Sequence, residues 1–200
     1  MIFFNRILPD LYVGMCPEGF EDILKLVNFC GITAVLNLQT NDDLRERGLD
    51  WKALKESYRK LSVEVLRVPM RDFDYEDQRK VLPAAVRALV KLLASGNIIY
   101  LHCNVGAARS PLVAMAYLYW CRDFSLREAI GHVQRHRPCS PYEDLLEISR
   151  QDLLRDSDVR KEIPQLASEI SKKRKNNLAD PRTYQVEAEA RILKKLLGVD

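Results

Sequence analysis

Residues 98–110 read IIYLHCNVGAARS: an apolar run, a loop of small residues, and the first residues of a helix. The run IIYLH (98–102) has no charge before its histidine, as expected of a strand covered on both faces. Working outward, further strands are expected at ITAVLNL (32–38), VEVLRVPM (63–70) and LYVG (11–14), the last closed by glycine. Helical spacing of apolar residues lies between them, first from Phe20 to Phe29 through Ile23, Leu24 and Val27. Asn41 and Asp42 are expected to cap a helix that continues past Gly48 through Trp51, Leu54 and Tyr58. Helices are expected again from about Gln78 to Ala94, and over about 109–121, 125–136 and 142–154. This alternation predicts an α/β fold, a central mostly parallel sheet flanked by helices. Ligands then gather at the carboxyl ends of the strands.

The 200 residues are 47% hydrophobic, enough for one full core. No run approaches the ~20 apolar residues of a membrane span, so no membrane partner is expected. The opening MIFFNRILPDLYVG meets Arg6, Pro9 and Asp10 too early for a signal peptide. Five irregularly spaced cysteines (Cys16, Cys30, Cys103, Cys121, Cys139) suit the reduced thiols of an intracellular protein, and a cytoplasmic one is expected. The net charge is +3, and Lys172, Lys173, Arg174 and Lys175 account for all of it, leaving the remainder near neutral. Nucleic-acid binding therefore gains no support. With no C-x-x-C pair and three histidines, neither metal nor cofactor is expected. From Asp156 the character changes to polar helix, a basic cluster and a linker at NNLADPRT (176–183). A last helix over about 183–197 sets Val186, Ala190, Leu193 and Leu197 on one side. Residues 1–155 read as one domain and 156–200 as a helical C-terminal extension. The extension is expected either to dock on the domain or to mediate self-association.

The chemistry sits in HCNVGAARS (102–110), His-Cys, five residues, then Arg-Ser, between a strand and a helix. Small residues let the backbone N–H groups of Asn104, Val105, Gly106, Ala107, Ala108 and Arg109 converge on one tetrahedral dianion. The N-terminus of the following helix backs this nest. Arg109 adds a planar fork for two phosphate oxygens and for the spread charge of a transition state. The same field favours the thiolate of Cys103, and the thiolate is the nucleophile. Ser110 is placed to hydrogen-bond the sulfur, and His102 to brace the loop. A departing alkoxide needs a proton, and RVPMRDFDYED offers Asp72, Asp74, Glu76 and Asp77 after a core strand. Asp72 or Asp74 is the expected general acid.

These residues resemble a dual-specificity phosphatase of the protein tyrosine phosphatase superfamily over roughly 5–154. Within that group the chain is most similar to the glucan phosphatases, the plant starch-excess type and laforin. The shared stretches include ILPDLYVG (7–14), LNLQTNDDL (36–44), RDFD (71–74), LPAAV (82–86), AYLYW (116–120) and RPCSP (137–141). The resemblance implies Asp72 as the acid, and a substrate platform of Phe73, Phe4 and Tyr119. It implies phosphate-monoester hydrolysis through a phosphocysteine, with phosphorylated glucan as substrate. Glu46 and Arg47 stand where the glucan enzymes carry an aromatic pair, with Trp51 as a candidate replacement. A phosphoprotein (Ser/Thr/Tyr) substrate therefore remains the alternative, favoured by a bare or charged rim, as clustered aromatics favour glucan. A phosphate-binding module without turnover is disfavoured by the intact Cys103, Arg109 and Asp72.

Overall fold

The computed structural model of the chain describes residues 2–174 and 180–199. Five strands, β1 (Phe4–Leu8), β2 (Leu11–Gly14), β3 (Ala34–Asn37), β4 (Glu64–Arg67) and β5 (Ile99–His102), form one sheet in the order β1-β2-β5-β3-β4. The last four are parallel; β1 pairs antiparallel with β2 at the edge. The central β3 and β5 are buried at every position, which is why their apolar runs are uninterrupted. The edge strand β1 has no such run and was not expected. It is turned back at Pro9–Asp10, where the Arg6 guanidinium donates to the Leu8 and Pro9 carbonyls. The parallel register sets Gly14, His102, Asn37 and Arg67 side by side at the carboxyl edge.

Alternate strand residues face two different cores. Val35 and Tyr100 pack against Ile23 and Leu26 of α1 (Phe20–Cys30) and Leu54 and Tyr58 of α3 (Trp51–Lys60). Leu36 and Leu101 face the larger core, supplied by α4 (Tyr75–Ala94), α5 (Arg109–Cys121), α6 (Leu126–His136) and α7 (Leu145–Arg155). Helix α5 is buried almost all round and forms the axis of that side.

Two expectations change. The single helix across Gly48 is two, α2 (Asn41–Glu46) and α3, because Gly48 takes φ +63° and Asp50 opens a new N-terminus. The cap of α2 is Thr40 rather than Asn41 or Asp42. Its side chain accepts from the Asp43 N–H while the Asp43 carboxylate accepts from Thr40. Helix α4 also contains Pro83, whose ring leaves the Arg79 carbonyl without its helical donor. The buried Ser149 hydroxyl of α7 donates to that carbonyl instead, at 3.3 Å.

The extension forms α8 (Ser157–Lys173) and α9 (Pro181–Leu197), packed on each other through Val159, Ile163, Ile170, Tyr184, Ala188 and Ile192. The apolar face differs from the expected one. Val186 is exposed and Tyr184 and Ala188 are buried in its place, while Leu193 and Leu197 enter the main core. The expected linker is shorter than NNLADPRT, since Pro181–Thr183 already belong to α9; residues 175–179 lie outside the described ones. Lys194 pairs with Asp123 and Arg150 with Glu189, so the tail is docked on the domain. Leu193→Ala should therefore lower the unfolding free energy by about 2–5 kcal/mol. A urea titration would show this as a lower midpoint at unchanged slope.

Candidate active site

The loop between β5 and α5 is held from outside by its carbonyls. Cys103 O lies 3.1 Å from His102 Nδ1, and Asn104 O accepts from the Cys16 N–H at 3.0 Å. Arg137 donates from Nη2 to Val105 O at 2.8 Å and from Nε to Gly106 O. Ala107 O accepts from the Ser140 N–H and Ala108 O from the Leu112 N–H. Every carbonyl from Cys103 to Ala108 is thereby engaged. No amide from Asn104 to Arg109 donates to a protein acceptor among the described residues. Six consecutive donors without partners are a cradle for an oxyanion. Gly106 takes φ +71°, and a β-carbon there would meet the Gly14 carbonyl and the Arg137 guanidinium. The loop passes this close to β2 only as glycine.

Arg109 is fully buried, and its guanidinium is held along one edge. Nη1 donates to Asp43 Oδ2 and to Met70 O, each at 2.8 Å. Nη2 donates to Asp43 Oδ1 at 3.2 Å and to Asp72 Oδ2 at 2.8 Å. Nε has no partner among the described residues and is the free donor of the fork. Burial opposes the charge on Arg109. Its hydrogen bond to Asp43 and the nearby charges of Cys103 and Asp72 outweigh that, so the guanidinium holds its proton more firmly than usual. Burial likewise opposes the charge on Asp43. The Arg109 and Thr40 hydrogen bonds overcome it and hold the carboxyl below the usual carboxylate range. Asn104 Nδ2 also donates to Asp43 Oδ1 at 2.6 Å, tying the loop to the same carboxylate.

The remaining expected residues fall as follows. Cys103 Sγ is buried, 3.4 Å from Ser110 Oγ. Asp72 follows β4 and reaches Arg109, whereas Asp74 caps α4 through the Asp77 N–H and faces Arg71 at 3.6 Å. Of the two candidate acids, only Asp72 touches the loop machinery. Phe73 beside it is 85% exposed at φ +55°, a backbone region that costs a non-glycine residue about 1–3 kcal/mol. Phe4 sits edge-on to Tyr12 and Tyr100, 6.1 Å from each. Tyr119 is ten residues along α5 from Arg109, roughly 15 Å at helical rise, and donates to Glu147 at 2.6 Å. The structure thus brings Cys103, Ser110, Arg109, Asp72 and Phe73 together and sets Tyr119 apart. Trp51 lies under the Arg67 guanidinium, 5.1 Å away, and packs on the smaller core.

Sequence reasoning missed Asp43 and Arg137. The signal for Asp43 was a Thr-x-x-Asp capping box directly after a core strand. Arg137 is a buried arginine just after α6, inside the RPCSP stretch, and only the packing reveals its targets. Among the described residues no cluster of three His, Cys, Asp or Glu is arranged to hold a metal ion, and no helix is long and apolar enough to cross a membrane.

Residues 11–147 match the family model of the dual specificity phosphatase catalytic domain. The chain is 38% identical over 156 residues to the amyloplastic phosphoglucan phosphatase DSP4 of Castanea sativa, covering 76% of this chain and 41% of that protein. It is 30% identical over 160 residues to laforin of Mus musculus, covering 74% and 48% respectively. The chain thus spans under half the length of these relatives. Among solved structures, PTPMT1 superposes with a TM-score of 0.60 at 23% identity, over 84% of this chain and 99% of that one, a likeness of fold.

Two outcomes follow from the buried charges. Asp43→Ala leaves Arg109 buried without its main carboxylate and should cost about 3–5 kcal/mol in urea unfolding. Burial pushes the His102 imidazole down from 6.5 to about 4. The unfolded chain therefore takes up this proton first, so stability is complete above pH ~6.5 and falls by roughly 3 kcal/mol toward pH 4. His102→Gln should remove that part of the slope in melts between pH 7 and 4.

Proposed function

The chain belongs to the dual-specificity phosphatases, and from that we propose that it hydrolyses phosphate monoesters through a phosphocysteine, on phosphorylated glucan. The observation that carries the phosphatase reading is the set of six unpartnered amides that follow Cys103. A phosphate dianion satisfies all of these donors at once.

In the proposed sequence the Cys103 sulfur attacks phosphorus in line with the ester oxygen. An S–P bond forms as the O–P bond breaks, and Asp72 gives its proton to the departing oxygen. Arg109 turns from Asp72 toward the equatorial oxygens, where charge accumulates. Asp43 keeps the guanidinium plane fixed during that exchange. Water then attacks the phosphocysteine, Asp72 takes its proton, and Ser110 donates to the leaving sulfur. Positioned amides and Arg109 supply the charge stabilisation without a metal in this sequence.

Two relatives named above support glucan as substrate: DSP4 by its description as a phosphoglucan phosphatase, and laforin by the resemblance already drawn. So does the exposed Phe73 beside the acid. Phe4 and Tyr119 remain proposed platform residues, Tyr119 at greater remove along α5. The second reading, a phosphoprotein phosphatase, draws on the exposed charges of Arg71, Asp42 and Arg45 flanking Asp72 and Asp43. Residues 1–155 are assigned as the catalytic domain and 156–200 as an extension completing its core. Five cysteines without a disulfide support a reducing compartment, with the cytoplasm as the proposed one.

Phosphate release should be measured from an aryl phosphate, a phosphopeptide panel and solubilised phosphorylated amylopectin. Turnover of glucan far above peptide, abolished by Cys103→Ser, is the expected outcome; peptide turnover alone would move the chain to the second reading. Asp72→Asn should cost about 10²–10⁴-fold on the glucan and far less on the aryl phosphate, whose leaving group needs little protonation.

A further inference from the structure

Helix α4 carries a stripe of buried residues, Leu82, Ala85, Val86 and Leu89, and Gln78 takes the first place in it. The Gln78 side chain is buried at 1% exposure, and its Oε1 has no partner among the described residues. A half-satisfied amide on an apolar stripe is a poor choice for stability. The use made of it is the donor: Gln78 Nε2 donates to the Arg71 carbonyl at 3.1 Å. The Arg71 N–H in turn donates to Asp77 Oδ2 at 2.7 Å. At the far end of the same loop, the Asp77 N–H donates to Asp74 Oδ1 at 2.9 Å and the Gln78 N–H to Asp74 O at 3.0 Å. Two consecutive residues thus hold a four-residue loop at both ends, and Asp72 and Phe73 are the span between.

We propose that Gln78, together with Asp77, is a positioning residue for general-acid catalysis: clamping Arg71 from both sides, the pair holds Asp72 at the cradle while Arg109 turns to the phosphate. This rests on Asp72 being the acid, as read above. At rest the Asp72 carboxylate has an anchor of its own, Arg109 Nη2 at 2.8 Å. A phosphate in the cradle competes for that guanidinium, so during the reaction the backbone alone fixes the acid. Phe73 holds φ +55°, a conformation that persists only where the surroundings impose it. Freed at Arg71, the loop relaxes that strain and carries Asp72 away from the ester oxygen. Arg71 is exposed, so its carbonyl meets water once the donor is removed, and the loss of Gln78 Nε2 leaves the core intact.

The test compares kcat/KM for phenyl phosphate, whose leaving group needs the proton, with that for para-nitrophenyl phosphate, whose leaving group needs little. Gln78→Met and Gln78→Leu keep apolar bulk without the donor; Asp77→Ala removes the acceptor and Asp77→Asn retains one. The expected result is a phenyl-to-nitrophenyl ratio about tenfold lower in Gln78→Met, Gln78→Leu and Asp77→Ala, carried by kcat, and restored in Asp77→Asn. The thermal midpoint of Gln78→Met should equal or exceed that of wild type. Combined with Asp72→Asn, Gln78→Met should lower the ratio no further than Asp72→Asn does by itself. An equal loss on both esters would make Gln78 a brace of the fold and overturn the clamp. So would additive losses in the double variant, or an unchanged ratio in both Gln78 variants where Asp72→Asn lowers it. A ratio untouched by Asp72→Asn removes Asp72 as the acid, and the clamp falls with that reading.

Discussion

The Asp43 carboxylate is the point on which the site depends. It receives two donors from Arg109, one from Asn104, and the Thr40 backbone and hydroxyl. One side chain thus caps a helix, fixes the orientation of the buried guanidinium, and tethers the phosphate loop at its first residue after the cysteine. A buried arginine is tolerable only when its charge is met, and Asp43 meets it with a carboxylate that takes one donor from each terminal nitrogen. Nε alone of its nitrogens is left without a partner, so the same interaction that stabilises Arg109 also sets which of its donors is uncommitted.

Around that pair the fold works by occupying the wrong side of the loop. Hydrogen bonds from β2's exit, from Arg137 and from the 137–144 segment hold the carbonyls outward, and the amides are left inward. The arrangement needs parallel strands that end together, since Gly14, His102, Asn37 and Arg67 must be level for their loops to meet. It also needs a buried helix behind it, and α5 is that helix. Unmet backbone donors in a folded interior are costly; the site concentrates six of them in one loop, where the proposed phosphate would meet them together.

Much of this was legible beforehand, for physical reasons that differ by residue. The strands of the parallel region announce themselves because burial on both faces demands unbroken apolar runs, and Cys103, Arg109 and Ser110 because their spacing has few other uses. Edge strand β1 has no such signature. Gly48 inside an otherwise periodic stretch was read as tolerated, yet its positive φ makes it a break. The first half of the α9 stripe was misplaced by two residues, Tyr184 and Ala188 being buried where Val186 and Ala190 were expected, while Leu193 and Leu197 are buried as read. Asp43 and Arg137 were hidden for a deeper reason: a polar side chain near a helix end looks solvated until its distant targets are known.

That dependence on distant residues has a consequence for the chain before it has folded. Gly14, Asp43, Arg109 and Arg137 come from four separate parts of the sequence, and none of them can hold the loop until the sheet has assembled. A nascent or misfolded chain carries HCNVGAARS as an ordinary flexible segment, with no aligned amides and no fixed arginine. Cys103 then has no oriented amides after it, and the proposed chemistry awaits the long-range contacts that fix the loop. Under the proposed function, completion of the fold and acquisition of the nucleophile coincide.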